Sequence, residues 1–211
     1  MPREASESLI LRSYTLKESD LIVSFLTRDS GKLRGVARYA RRPKSQFGSA
    51  LERLSHAKVY YIQRENRELL TLTGCDLLQS QFAISSNYEA GVALDYIAEI
   101  SDLLLPPNEV SEKFFRLLLA VLEDLRGGGP VWRAVLYFSL WAVRLSGILG
   151  DVAVREESRE IGMEMLTTPI ARVSEREWTK LTARDLRRWL LRDIEAHTER
   201  RVQSAAILEA L

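Results

Sequence analysis

The stretch Ser30–Leu51, SGKLRGVARYARRPKSQFGSAL, is the most distinctive part of the sequence. It contains no acidic residue, although the whole chain balances 30 Lys and Arg against 29 Asp and Glu. Two aromatic residues, Tyr39 and Phe47, lie among its cations. The six cations are Lys32, Arg34, Arg38, Arg41, Arg42 and Lys44.

This local excess of positive charge favours nucleic acid as a partner. Neutralised phosphates supply most of the affinity in non-specific nucleic-acid binding, and a stacked ring adds about 1–3 kcal/mol per base. The alternative is a strand with a solvated cationic face followed by a mobile loop. The missing acids and the interleaved aromatic residues favour the nucleic-acid interpretation.

Five short β-rich runs cover the first eighty residues and are separated by turn signals. The turns include the polar Lys17-Glu18-Ser19 and the charged Arg64-Glu65-Asn66-Arg67. The predicted strands are Ser8–Leu16, Asp20–Arg28, Leu33–Ala40, Ala57–Gln63 and Glu68–Leu78. Five such strands predict a small closed barrel, for which the oligonucleotide-binding (OB) barrel is the main candidate. Periodicity alone does not separate it from other small barrels.

From about Phe82 onward, apolar residues recur at helical spacing. Helices are predicted over Asn87–Leu105, Glu109–Arg126 with Asn108 as N-cap, Val131–Leu149, and from Thr182 onward. Ser174 and Thr182 each open a pattern that resembles a capping box, and Asp151–Arg172 has the weakest pattern. We therefore predict an α+β protein, with an OB domain over residues 1–80 and an α-helical domain over residues 83–211.

Compartment and catalysis are constrained by what the sequence lacks. No apolar run reaches the length of a membrane span, the N-terminus has no cleavage signature, and Cys75 is the single cysteine, so a cytoplasmic, nucleoid-associated protein is predicted. Phosphate-loop, dinucleotide and nucleophile-elbow motifs are missing. Cys75 is interpreted as a core residue, and His56 and His197 lie too far apart for a zinc site. We predict no enzyme activity, no metal and no cofactor.

The order of these features resembles the RecO family of bacterial recombination mediators. The resemblance rests on LILRSYTLKESDLIVSFLTRDSGKLRGVARYARRPKSQFGSALERLSHAKVYY, then RELLTLTGCDLLQS, and more loosely on the tail LRRWLLRDIEAHTERRVQSAAILEAL. It implies an N-terminal OB barrel and a C-terminal helical domain. It also implies binding of single- and double-stranded DNA, annealing of complementary strands, and action with RecR to load recombinase onto strands coated by single-stranded-DNA-binding protein.

One segment departs from the family pattern. Many members carry four cysteines as two CxxC pairs in the region that corresponds to Leu149–Ser174, where they form a zinc module. This chain has no cysteine there, and the segment is too short for that module. Zinc is therefore not carried over from the family, and neither are the DNA or RecR contacts of that module.

Strand alternation places Lys32, Arg34 and Arg38 on one face, and Arg41, Arg42 and Lys44 follow in the loop. The resemblance further implies that the helical domain receives the acidic, apolar C-terminal tail of the single-stranded-DNA-binding protein. Such a tail needs an apolar pocket rimmed by cations, and the residues chosen for it are Phe115, Arg116 and Arg133.

Two other classes of function are weighed against annealing. A nuclease needs clustered carboxylates to hold a metal, and the basic half offers only scattered ones such as Asp20, Asp29 and Glu52. A protein-only adaptor would use the basic barrel face to dock an acidic partner. DNA binding with a steep salt dependence, without divalent metal and without turnover, would distinguish annealing from both.

Overall fold

The computed structural model describes residues 3–63, 68–150 and 152–211, and the chain forms two compact units. The first unit comprises Met1–Phe82 together with Leu105–Phe115, and the second comprises Ala83–Leu104 together with Arg116–Leu211. The predicted turn at residues 64–67 lies outside the described residues, as does Asp151. Among the described residues, no helix is long and apolar enough to cross a membrane.

Five strands in the first unit form a closed barrel in the order β1-β2-β3-β5-β4. The strands are β1 (Glu4–Thr15), β2 (Leu21–Thr27), β3 (Gly31–Ala37), β4 (His56–Ile62) and β5 (Leu70–Gln79). Neighbouring strands are antiparallel except for β3 and β5, which run parallel. This barrel, followed by a helical region, confirms the predicted fold class, and its strand order is that of an OB-type Greek-key barrel.

The interior of the barrel is filled by alternate residues of the strands, because side chains one apart point to opposite faces. Its core contains Ile10, Val23, Phe25, Ala37, Phe47, Leu51, Val59, Tyr61, Leu70 and Leu72. Cys75 packs against this core, which confirms its interpretation as a core residue. Burial raises the pKa of the Cys75 thiol to about 12, so the reactive thiolate is scarce at neutral pH.

Phe47 corrects one sequence-based interpretation. The sequence placed it among the cations as an aromatic residue that suits base stacking, but only 2% of its surface is exposed. Phe47 reaches the barrel core from the long connection between β3 and β4, and Leu51 enters the core from the same connection. The connection is therefore fixed by its own buried side chains, which contribute several kcal/mol through the apolar area that they remove from water.

The segment Leu105–Phe115 belongs to the barrel unit. Asn108 does not serve as the predicted N-cap; its N–H donates to the carbonyl of Lys32 at 2.9 Å, and α3 begins only at Glu112. Gly31 allows this close approach, since a Cβ there would lie 2.2 Å from the carbonyl oxygen of Glu109. Its φ of 73° is a second reason why glycine occupies the turn between β2 and β3.

The helices that follow the barrel are α1 (Phe82–Ser85), α2 (Tyr88–Leu104), α3 (Glu112–Arg126), α4 (Val131–Leu145), α5 (Glu156–Thr167), α6 (Arg184–Thr198) and α7 (Gln203–Ala210), with a 3-10 turn at Ile170–Arg172. In the second unit, α4 packs against α2, α5 and α6, because α4 is apolar on nearly every face and has to be covered by other helices. α5 forms in the segment with the weakest sequence pattern, where Ile161 and Met165 are buried one turn apart.

Two helix predictions in the last third of the chain are wrong. No helix begins at Ser174: its N–H donates to the side chain of Glu164, which also pairs with Arg176, and not to the side chain of Glu177 as a capping box requires. The final helix is interrupted at Glu199, which takes a φ of 53°, so that α6 and α7 are separate. α7 then begins where the Glu99 carboxylate accepts hydrogen bonds from the N–H groups of Gln203 and Ser204.

Candidate nucleic-acid interface

The outer face of β3 carries the first predicted cations. Leu33 packs against the core and Ala37 is buried in it, so Lys32 and Arg34, one residue out of step, point away from it. Arg34 is exposed and Lys32 is half-buried. Arg38 is also exposed but lies just beyond the end of the strand at Ala37. Lys32 and Arg34 therefore lie on the outer face of β3, and Arg38 lies at the C-terminal end of the same strand.

The three remaining cations, Arg41, Arg42 and Lys44, are exposed in the turns after β3, which we call the basic loop (residues 38–48). Tyr39 is 54% exposed and takes a φ of 58°, which turns the chain sharply at the end of the strand. The guanidinium of Arg42 lies over the Tyr39 ring at 4.2 Å from its centroid. This pair presents a flat ring and a cation together at the surface.

The basic loop is fastened to the turn between β1 and β2. The Asp20 carboxylate accepts a hydrogen bond from the N–H of Tyr39 at 2.8 Å, and the carbonyl of Ser19 accepts one from the N–H of Arg41 at 3.1 Å. Nη1 of Arg41 also donates to the carbonyl of Glu18 at 3.3 Å. With Phe47 buried at its far end, the loop is tied at both ends, unlike the mobile loop that the alternative interpretation assumed.

A surface groove of about 690 Å³ lies between the β1–β2 turn, the end of β3 and the start of β5. Tyr39 and Arg38 line it together with apolar Leu16 and Val36. Lys17 also lines the groove, and sequence reasoning missed it because the β1–β2 turn was treated only as a connection. The predicted fold could have identified Lys17, because the loop after the first strand of an OB barrel borders its binding face.

The groove combines the features that a single nucleic-acid strand requires. Lys17, Arg38 and the cations of the basic loop attract phosphate, while Tyr39 offers a ring for stacking. Asp20 and Glu68 also line the groove and offset the charges of Lys17 and Arg38, so the additional positive charge comes from Arg41, Arg42 and Lys44 of the basic loop. The positive charge that faces solvent is therefore in excess at the loop.

The three predicted partner residues have different environments. Phe115 is fully buried in the barrel unit, where its ring lies 6.2 Å from the ring of His56 and 5.1 Å from the Arg28 guanidinium. Such a ring offers no surface to a partner. Arg116 is exposed on α3, and Arg133 on α4 pairs with Asp124 at 2.5 Å.

A pocket of about 820 Å³ in the second unit includes Arg133 in its lining. Tyr137 and Trp178 supply aromatic walls, and Gly127–Pro130 forms part of the rim. Three buried polar atoms in these walls have no hydrogen-bond partner among the described residues: Arg133 Nε, Asp124 Oδ2 and Trp178 Nε1. Burial raises the pKa of Asp124, and the neighbouring Arg133 opposes that rise. The pocket thus offers unused hydrogen-bonding groups beside apolar surface.

Neither metal chemistry nor histidine catalysis has a visible centre in the part of the chain that the structure describes. No three of its His, Cys, Asp and Glu side chains are grouped so as to hold an ion. His56 Nε2 lies 2.7 Å from Glu7 Oε1, and Glu7 also pairs with Arg28 at 2.8 Å. His197 is exposed near the end of α6.

A closed OB-type barrel with a basic edge, continued by a helical unit, defines an OB-fold protein with a C-terminal helical domain. The family model "Recombination protein O N terminal" matches residues 1–81, and "Recombination protein O C terminal" matches residues 85–153. A DNA repair protein RecO from Koribacter versatilis is 35% identical over 240 residues, with 98% of each chain covered. The chain therefore belongs to the RecO family of DNA repair proteins, as the sequence resemblance indicated.

Other relatives match over shorter stretches. DNA repair protein RecO from Geobacter metallireducens is 35% identical over 131 residues, which cover 62% of this chain and 53% of the relative. The protein of the same name from Anaeromyxobacter dehalogenans is 30% identical over 149 residues, with coverage of 71% and 59%. The alignment with the Koribacter versatilis protein is 240 residues long while this chain has 211, so that relative contains residues without a counterpart here.

Proposed function

We propose that this protein binds single- and double-stranded DNA and anneals complementary strands. The observation that carries the proposal is the exposed Tyr39 ring with Arg42 over it, set in a basic loop that is fastened beside a groove. The DNA-binding residues are Lys32, Arg34, Arg38, Arg41, Arg42 and Lys44, with Lys17 added from the groove. The membership of the chain in a family of DNA repair proteins supports the same conclusion.

Annealing in this proposal requires no bond chemistry. Two phosphate backbones repel each other until cations screen them, and complementary bases then pair unaided when they are held close. Because the loop is tied to the β1–β2 turn, its cations are positioned before DNA arrives, which lowers the entropy lost on binding. The protein therefore acts as a binding surface without a catalytic group or a cofactor.

The proposed partners follow from the family. RecR would act with this protein in loading recombinase onto strands coated by single-stranded-DNA-binding protein, at the nucleoid. For the acidic, apolar C-terminal tail of that coating protein we propose the pocket of the second unit, where Arg133 and Arg176 stand beside Tyr137 and Trp178 in a lining that also holds Glu123, Asp124 and Glu175. The N–H groups of Arg133 Nε and Trp178 Nε1, which have no partner in the described part of the chain, suit carbonyl or carboxylate oxygens of a peptide. Arg133 is thus retained in the proposed partner site, whereas buried Phe115 is not.

The test is the joint replacement of Arg41, Arg42 and Lys44 by Ala. All three side chains are exposed, so the fold should persist. Affinity for single-stranded DNA should fall, and the log–log salt slope should shrink by about 0.7 for each phosphate that the protein no longer neutralises. Annealing of complementary oligonucleotides should fall in parallel, while binding of the tail peptide should be unchanged.

A matched control replaces Lys113, Arg144 and Arg172, three exposed cations outside the basic loop, by Ala. It removes the same charge from the protein and should retain the parent's DNA affinity and salt slope. A folded loop variant that binds and anneals DNA like the parent at every salt concentration would overturn the proposal. Binding of an acidic protein by the barrel without any DNA binding would instead favour the adaptor alternative.

A further inference from the structure

A second cationic surface lies in the helical unit, away from the tail pocket. A cleft of about 330 Å³ is lined by Ala153, Arg155, Arg184, Asp185, Arg188, Trp189 and Arg192. Four of these seven residues are arginines, and the one half-buried ring among them is that of Trp189. Its apolar lining is limited to this ring and one alanine, so the cleft differs from the larger aromatic pocket around Arg133.

The arginines of α6 form a regular row. Arg184, Arg188 and Arg192 are spaced four residues apart, so they follow one stripe of the helix with a rise of about 6 Å between neighbours. Like charges at this spacing destabilise a helix by a few tenths of a kcal/mol per pair. The row therefore has a cost in stability that core packing does not explain.

The acids near the row neutralise it only in part. Glu209 lies 3.4 Å from Arg184 and 4.0 Å from Arg188, and Asp185 lies 3.7 Å from Arg155. Four lining arginines against two carboxylates leave an excess of two positive charges, and Glu209 is shared with the buried Arg187 at 3.0 Å. No ion pair involves Arg192 among the described residues, and the buried Nε of Arg184 has no hydrogen-bond partner among them.

The beginnings of two helices lie at the cleft and are held by the carboxylate of Asp185. Arg155 is the residue just before α5, and α6 begins at Arg184. The carboxylate of Asp185 accepts hydrogen bonds from the N–H of Arg155 at 2.8 Å and from Ser158 Oγ at 2.5 Å. Burial opposes ionisation of Asp185, but these hydrogen bonds prevail and its pKa is lowered. A carboxylate held in this way is what a helix N-terminus favours.

We infer that this cleft holds the phosphate backbone of a second DNA strand, so that the protein carries one strand on the barrel and another on α6. Phosphates in a stacked strand recur about every 3.4 Å along the helix axis, so the rise of about 6 Å between neighbouring arginines is close to two such steps and lets each arginine of the row meet one phosphate. Trp189 provides a stacking surface for a base beside them. An acidic peptide with an apolar end is a poorer occupant, because the cleft lacks the apolar walls that such an end requires.

This inference rests on the proposed function, and the test separates the two. Arg188→Ala/Arg192→Ala is compared with Arg144→Ala/Arg172→Ala, a control that removes two exposed arginines of the same unit. The probe is a short dT oligonucleotide, and its stoichiometry is measured by titration at low salt. The parent and the control should bind two oligonucleotides per chain and the cleft variant one, with the tighter affinity retained. The annealing rate of the cleft variant should fall, and the binding phase that disappears should have a salt slope of about 2, as expected for one neutralised phosphate at each of the three arginines of the row.

A second combination of variants tests DNA binding by the cleft in a protein whose basic loop has lost its cations. In the background of the triple loop variant, the residual weak DNA binding should persist, and adding Arg188→Ala/Arg192→Ala should abolish it. A folded cleft variant with the parent's stoichiometry and annealing rate would overturn the inference while leaving the proposed function in place. Loss of tail-peptide binding with unchanged DNA stoichiometry would also overturn it. A parent protein that binds no DNA would overturn both.

Discussion

Two aromatic rings of the basic stretch, Tyr39 and Phe47, have opposite environments. Tyr39 stands at the surface with Arg42 over its ring, and Phe47 fills the barrel core. Phe47→Ala should therefore lower the free energy of unfolding by about 3–5 kcal/mol, as expected for loss of a buried ring. Tyr39→Ala should leave stability nearly unchanged but weaken single-stranded DNA binding by about 1–3 kcal/mol.

Urea denaturation and DNA titration of both variants test this division. Each variant serves as the control for the other, because both remove one ring from the same stretch of chain. If Phe47→Ala kept the parent's stability and lost DNA affinity, the ring would have to contact DNA instead of the core.

At the scale of elements, the sequence predicted the strands better than the later helices. Period-two runs with short turns define β1 to β5 to within a few residues, because each strand has one face in the core. The capping-box pattern at Ser174 fails because a distant carboxylate, that of Glu164, accepts the hydrogen bond of the Ser174 N–H that Glu177 would accept in a capping box. The break between α6 and α7 at Glu199 could not be predicted from the local sequence either. The acid that binds the start of α7 is Glu99, about a hundred positions earlier in the chain.

The same limit applied to the binding surfaces. The cations of the basic loop were found from composition alone, because a stretch without acidic residues can be recognised directly in the sequence. Lys17 was missed because it meets Arg38 and Tyr39 only after the barrel closes. Phe115 was misjudged because its apolar character is the same in a core as in a pocket, and only packing distinguishes the two.

α7 is anchored by an ion pair that should respond to acid. Arg187 is almost fully buried, lies over the Trp132 ring and binds Glu209 of α7 at 3.0 Å. Burial opposes ionisation of Glu209, but Arg187 and its neighbours prevail and lower its pKa. The pair therefore contributes stability that is fully present above the ordinary glutamate pKa of about 4.3 and is lost as the pH falls through the lower pKa of the folded state.

We expect Glu209→Gln to lower the free energy of unfolding at pH 7 by on the order of 3 kcal/mol, because the buried Arg187 loses its counter-charge. Unfolding by urea between pH 7 and pH 3 should show a shallower pH dependence in the variant than in the parent. Glu156→Gln is the control, since among the described residues Glu156 makes only an exposed pair with Arg159 at 3.7 Å. Parallel pH profiles for Glu209→Gln and the parent would contradict the proposed anchor.

At the scale of the whole molecule, the chain should contain no bound zinc. It has one cysteine and two histidines, whereas structural zinc sites take four ligands, mostly cysteine and histidine. Elemental analysis after dialysis against a weak chelator should give far less than one zinc per chain, and chelator should leave the urea midpoint unchanged. Stoichiometric zinc, or a fall of the midpoint with chelator, would contradict this prediction.

The barrel unit is not contiguous in the chain, and this has a consequence for the order in which it is completed during synthesis. The last strand ends at Gln79, but the segment that covers Gly31 and binds the carbonyl of Lys32 follows α2 and ends at Phe115. Ribosomes add about 5–20 residues per second, so Gly31 and the carbonyl of Lys32 face water for a time on the order of seconds. A nascent chain that stops at Phe82 has all five strands but lacks the segment 105–115, and the barrel unit is complete only once that segment leaves the ribosome.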